Sequence, residues 1–302
     1  MLKFIREWTL PLAMTAGALT HVWMGRLSFL TPWLIFLMLL LTFCKMSWHD
    51  IRFHPAHGWL LLIQLAGNVL IYVLISPFDE VVAQGAMLCI LAPTATAAAV
   101  ITGMLGGNVG FLTAYVLFCN VAVAVMAPIE FSMIGVHGNL SFLPSVLFIC
   151  RKVFPLLVLP LLIAFMLRLW APKVHRVLLS VPKLTFYLWT VALMIVTGIT
   201  VHDMLNRSAS DRQTAVTLAV VSLVICGLQF LLGRRIGRRY GDPVSSGQGL
   251  GQKNTILALW MAQTYLHPLV GIAPATYILW QNMINSYQLW RRNRNTNTAK
   301  AT

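Results

Sequence analysis

The feature that most constrains this chain is a succession of about ten apolar runs, each roughly 20 residues long. That is the length a helix needs to cross a hydrocarbon core of about 30 Å. The runs fall at 8–25, 30–48, 57–76, 82–106, 109–135, 152–170, 184–203, 214–234, 247–265 and 270–290. They are continuously apolar, so they read as helices and not as the alternating strands of a barrel. The rest of the chain cannot clothe a soluble domain. Only 10% of its 302 residues are charged and 58% are hydrophobic, whereas a soluble domain carries about 25% charged residues. The expectation is an all-α polytopic membrane protein with ten transmembrane helices, and the lipid bilayer is its first partner.

A net charge of +14 raises the question of nucleic acid. The positive charges sit at the ends of apolar runs and no polar domain carries a basic stripe, so no nucleic acid is expected. The charges read instead as topology signals. With the N-terminus inside, sixteen basic residues fall on the cytoplasmic side, among them Lys3, Arg6, Lys45, Lys183, Arg234, Arg238, Arg291 and Arg292. Five fall outside: Arg26, Arg151, Lys152, Arg207 and Arg212. This predicts cytoplasmic termini and an even number of spans. Arg151 and Lys152 are the exception to the pattern, and their stems can snorkel to the interface. MLKFIREWTL opens a first span and not a removed signal peptide. The compact single chain suits a bacterial inner membrane. The five cysteines form no CxxC pair and read as small apolar packing, with no disulfide framework, metal or cofactor.

Ten spans divide into two halves, 1–136 and 137–302. An odd number of spans per half sets the halves in opposite orientation, the layout of an inverted repeat. The fourth and ninth spans hold corresponding places, and both are interrupted. The fourth carries Pro93-Thr94-Ala95-Thr96 and then Gly103, Gly106 and Gly107. The ninth carries Gly247-Gln248-Gly249-Leu250-Gly251-Gln252-Lys253-Asn254. Interrupted segments at matched positions point to a transporter's binding site. Glycine alone also marks close helix packing, but packing does not explain Gln248, Gln252, Lys253 and Asn254 together.

Lys253 is the sharpest single residue. A lysine inside a span costs about 2.5–3.5 kcal/mol on insertion scales and usually faces a water-filled path. The eight acidic residues, Glu7, Asp50, Asp79, Glu80, Glu130, Asp203, Asp211 and Asp242, all fall in loops or at span ends. A sodium or proton path usually needs a carboxylate inside the membrane. This chain offers a fixed cation instead, which points to a small organic anion as substrate. Gln64 and Asn68 share one face of the third span. Thr94, Thr96 and Thr102 lie along the fourth, and Gln281, Asn282 and Asn285 along the tenth. Any one of them is more often a contact between helices than a ligand. The histidines, among them His49, His54, His57, His137, His175 and His202, are read as interfacial or loop residues without a catalytic part. No Ser-His-Asp, HExxH or paired intramembrane carboxylate pattern is present, so an enzyme is not expected.

The segments Cys89 to Val109, Gly249 to Thr255 and Trp280-Gln281-Asn282 resemble three motifs of the bile acid:sodium symporter family. Those motifs read roughly P-G-G-x-A-S-N-x-x-T…G-[ND]-V in the fourth span, E-x-G-x-Q-N-S in the ninth and W-H-N in the tenth. The resemblance implies ten helices in a five-plus-five inverted repeat, with broken helices four and nine crossing in a core domain that slides against a panel domain. It implies carriage of organic anions, and it assigns substrate contacts to Thr96, Asn254 and Asn282. Thr94, Gln64, Gln252 and Lys253 complete the expected substrate-binding set.

The departures from the family pattern are the informative part. The family's sodium-binding Glu falls on Gly249 and its sodium-binding Gln on Lys253. Its Ser-Asn pair falls on Ala98 and Ala99, and the fifth-span hydroxyls fall near Leu112 and Val116. Only Gln64 keeps a sodium-ligand position. Together these changes remove the oxygen cage that sodium needs. The expectation is a sodium-independent carrier in which the Lys253 ammonium takes the place of the ion. Release of its proton in one facing state would make transport proton-coupled, and a permanent charge would give uniport or exchange. The alternatives are a sodium-dependent symporter with an altered ion site, and a membrane sensor or scaffold that does not transport.

Overall fold

A computed structural model describes residues 9–46, 51–134, 141–181, 184–205 and 209–301. Lys3, Arg6, Glu7, His49, Asp50, His137, Lys183 and Arg207, used in the reading above, lie outside the described residues. The described chain is helical, and among the described residues there is no strand. In order, the helices are α1 (Thr9–Leu19), α2 (His21–Met24), α3 (Leu30–Cys44), α4 (Pro55–Ile75), α5 (Glu80–Leu91), α6 (Ala98–Met104) and α7 (Val109–Ile134). They continue as α8 (Phe142–Trp170), α9 (Pro172–Ser180), α10 (Leu184–Leu205), α11 (Ala209–Arg239), α12 (Pro243–Gly251), α13 (Thr255–Tyr265) and α14 (Ile272–Ala301).

The chain chooses these ends for local reasons. Pro55, Pro172 and Pro243 each open a helix, where their fixed φ fits and the missing N–H costs nothing. Asp79 accepts a hydrogen bond from the Val82 N–H at the start of α5, and Asp242 accepts one from the Ser245 N–H at the start of α12. Such caps contribute about 1 kcal/mol each. Gly241, with φ +78°, makes the tight turn from α11 into α12, a backbone conformation that L side chains avoid.

Among the described residues five helices are long and apolar enough to cross a membrane: α4, α7, α8, and the stretches Leu184–His202 and Asp211–Arg239. A sixth span is reached if His21–Leu27 and Leu30–Cys44, bent by 69°, count as one. The other expected spans coincide with helices that are short or polar. The fourth divides into α5 and α6, and the ninth into α12 and α13. The tenth, α14, carries Gln281 and Asn285, which are both buried. These two turn inward, while Arg291, Arg292 and Arg294 near its end are exposed, and both groups lower its hydropathy. The segment 172–180, expected as a connection, is the amphipathic helix α9, with Lys173 and Arg176 exposed.

The chain forms two compact units. The first comprises Met1–Met46, Ala124–Ala215 and Ile256–Ile272, and the second Ser47–Val123, Val216–Thr255 and Ala273–Thr302. In the first unit, α10 lies against α1, and Gly17 meets the backbone of Met194 so closely that a side chain has no room there. His175 on α9 contacts the Cys44 carbonyl at 3.0 Å, and His21 and His202 lie 3.2 Å apart between their Nδ1 atoms. In the second unit, Gly233 and Gly237 of α11 form a G-x-x-x-G pair. They pack on the backbone of Ser246 and Asp242, so the α11–α12 hairpin closes backbone to backbone, the usual role of such pairs between membrane helices.

Candidate functional site

The second unit contains both breaks. Helix α5 ends at Leu91 and the chain runs extended through Pro93 to Ala95. Helix α12 ends at Gly251 and the chain runs extended through Gln252 to Asn254. The two extended segments meet as an isolated antiparallel bridge between Thr94 and Lys253. The Ala95 N–H donates to the Gln252 carbonyl at 2.9 Å, and the Asn254 N–H donates to the Pro93 carbonyl at 2.7 Å. Each break thus supplies the backbone partners the other lacks. Irregular backbone within membrane protein is tolerated only on such terms.

A helix leaves its last four carbonyls without partners, and they form the negative end of its dipole. At the end of α5 side chains meet this need one carbonyl at a time. Gln229 Nε2 donates to the Cys89 carbonyl at 3.1 Å. Lys253 Nζ donates to the Ile90 carbonyl at 2.8 Å. Gln64 Nε2 donates to the Leu91 and Ala92 carbonyls at 2.9 and 3.0 Å. At the end of α12 the Thr94 hydroxyl donates to the Gly249 carbonyl at 2.5 Å, and the Tyr277 hydroxyl donates to the Gly251 carbonyl at 2.8 Å. Both interrupted helices therefore end in carbonyls held by side chains from elsewhere in the unit.

Lys253 is 1% exposed, so its side chain lies inside the unit and does not open on a water-filled path. Its main-chain N–H donates to Gln281 Oε1 at 2.9 Å, which ties α14 to the crossing. The ammonium thus stands at the negative end of α5, the position a helix reserves for a cation.

The other expected site residues divide in two. Gln64 and Thr94 are fully buried and engaged. Besides its two donated bonds, Gln64 accepts from the Tyr115 hydroxyl at 2.9 Å and from the Cys119 thiol at 3.1 Å. All four hydrogen-bonding positions of its amide are filled by protein. Thr96, Asn254 and Asn282 are half-buried, and the Asn282 amide donates to the Ile278 carbonyl of its own helix. Gln252 is buried, and its Oε1 has no hydrogen-bond partner among the described residues.

His57 is not a loop residue. It lies inside α4, is fully buried, and contacts the Phe111 carbonyl through Nε2 at 3.0 Å. Phe53, His54, Phe111, Tyr115 and Phe118 surround its ring. The first turn of α4 needs a group to accept from its free N–H, and the His54–His57 pair supplies it. Gln229, Tyr115 and Tyr277 were missed altogether. Each is one polar side chain on an apolar span, and no local pattern marks which partner it will meet.

Broken helices that cross through extended, polar backbone inside an all-helical membrane protein define a class of secondary carriers. The chain belongs to the Sodium Bile acid symporter family, whose model matches residues 32–207. The family is one of membrane transporters. The match takes in the first break and ends before the second, so Gly249, Lys253, Asn254 and Asn282 lie beyond it. No curated protein is a significant match to the chain.

Proposed function

We propose that the protein is a sodium-independent secondary transporter of a small organic anion, working by alternating access. The observation that carries this is the Lys253 ammonium on the Ile90 carbonyl. It is a cation fixed to the chain at the helix end where a bound ion would otherwise balance the dipole. Ten spans in a five-plus-five inverted repeat, cytoplasmic termini and a bacterial inner membrane belong to the same proposal. The matched breaks and the distribution of Lys and Arg support them. Thr96, Asn254 and Asn282, half-buried beside the crossing, are the proposed substrate contacts, with the Gln252 amide oxygen as a further polar group. Thr94 and Gln64 act through the backbone they hold. Bile salts and small keto or hydroxy acids are the solutes to try first, and a proton is the remaining candidate for a coupling ion.

The test is flux of such labelled anions into vesicles holding the purified protein, in sodium and in potassium. Equal flux in both, lost in Lys253→Met, is the expected result. A sodium requirement in the wild type would sink the proposal. Binding without flux would favour a sensor that kept the family's fold.

A further inference from the structure

Lys152 is a cation that the crossing does not use, and the topology reading left it as an exception. It lies ten residues into α8, about 15 Å from Phe142 at 1.5 Å per residue. Exposed Phe142, Leu143, Leu147 and Phe148 precede it. Its ammonium sits 4.7 Å from the centre of the Phe148 ring, one turn toward the start of the helix. That is the direction a lysine takes when its head reaches for headgroups along an apolar surface. Among the described residues no carboxylate pairs with it.

Beside Lys152 the first unit carries a groove of about 480 Å³, lined from α3 by Pro32, Trp33 and Phe36, from α8 by Pro155, Leu156 and Leu159, and from α13 by Trp260 and Thr264. The volume is within the range of about 300–1,000 Å³ typical of ligand sites. Lys152 is the one charged residue of its lining. Trp33, Leu159 and nearby Leu162 and Phe165 are exposed on the same helices, so the groove belongs to an apolar outer face. Thr264 spends its hydroxyl on the Trp260 carbonyl at 2.7 Å. The lining therefore asks for an apolar chain, with one negative charge at the lysine end.

We propose that this groove binds an acidic phospholipid, with its phosphate on Lys152 and an acyl chain against Trp33, Phe36, Leu159 and Trp260. A zwitterionic lipid fills the groove equally well but leaves the ammonium with less charge to balance. A soluble anion satisfies the ammonium but leaves most of the apolar wall uncovered. The occupant that meets both demands carries a net charge on a long chain.

The experiment compares phosphatidylglycerol with phosphatidylcholine of the same chains on the purified, delipidated full chain, read by native mass spectrometry. The wild type is expected to retain one phosphatidylglycerol with a roughly fivefold preference, the effect of one lysine at a membrane surface. Lys152→Gln should lose that preference, and Arg151→Gln, which removes a neighbouring charge outside the groove, should keep it. Leu159→Trp, which fills the groove, should weaken both lipids. A brominated acyl chain should quench wild-type fluorescence more than that of Trp33→Phe. Equal losses in Lys152→Gln and Arg151→Gln would reduce the effect to general surface charge and overturn the site. So would displacement of the lipid by inorganic phosphate at matched concentration, which would make the occupant a soluble anion.

Discussion

The ring of Tyr115 stands where a side chain at position 249 would have to go: a Cβ placed on Gly249 would lie 2.9 Å from Tyr115 Cδ1. A side chain at position 249 and this tyrosine compete for one volume. The same tyrosine hydroxyl donates to Gln64, so a side chain at position 249 would also disturb the bond that holds Gln64. Gly249→Ala is expected to lower stability by about 1–3 kcal/mol, the usual cost of overpacking. In a Tyr115→Ala background the same change should cost much less. Thermal unfolding of the four proteins in one detergent measures this coupling, and additive losses would contradict it.

Introducing two of the motif residues of the sequence resemblance should not confer a sodium requirement. Gly249→Glu with Lys253→Gln returns two ligands, but Ala98 and Ala99 remain apolar and Gln64 stays bound to protein. Flux in vesicles is expected to remain indifferent to sodium in this double variant. A cage with enough oxygens would need Ala98→Ser and Ala99→Asn as well.

Gln64 and Asn282 separate two roles by measurement. Gln64→Leu strips partners from the Leu91 and Ala92 carbonyls, the Tyr115 hydroxyl and the Cys119 thiol. The expected loss is roughly 3 kcal/mol or more, since each buried group left unpaired costs about 1–3 kcal/mol. Asn282→Ala breaks only a bond to its own helix and should cost less than about 0.5 kcal/mol, yet reduce binding of the transported anion. Thermal unfolding with and without solute reads both effects. Equal stability losses would remove the distinction.

The α11–α12 hairpin should be intolerant of any side chain at its glycines. Gly233→Ala and Gly237→Ala each drive a methyl into the backbone of α12, and each is expected to cost at least about 1–3 kcal/mol. Gly227→Ala on the same helix, where a methyl meets open space, should be neutral or slightly stabilising. Expression and melting of the three variants would decide it.

What the sequence made legible was whatever has a local signature. Interrupted spans at matched places marked both breaks, and a lysine among glycines marked Lys253. The amphipathic helix α9 was equally available, since Pro172 opens it and Val174, Val177 and Leu178 recur at helical spacing. The partners of the breaks were not legible. Gln229 meets the Cys89 carbonyl across 140 positions and Lys253 meets Ile90 across 163. Nothing near either residue encodes that separation. Gln64 shows the limit most clearly. Its position suggested a ligand for an ion, but an amide that can coordinate a cation can equally hold two carbonyls, and only the fold selects between them.

Lys253 on the Ile90 carbonyl has a thermodynamic consequence. An ion taken from solution brings the free energy of its own gradient, and a carrier that binds one can drive its solute uphill. An ammonium covalently attached to the chain has no concentration on either side. In the proposed cycle it returns with the protein every time, so its charge can hold the end of α5 but brings no gradient with it. In the carrier proposed above, accumulation then has to draw on a counter-solute or on a proton. Without one of these, the proposed carrier would equilibrate its anion with the membrane potential and stop there.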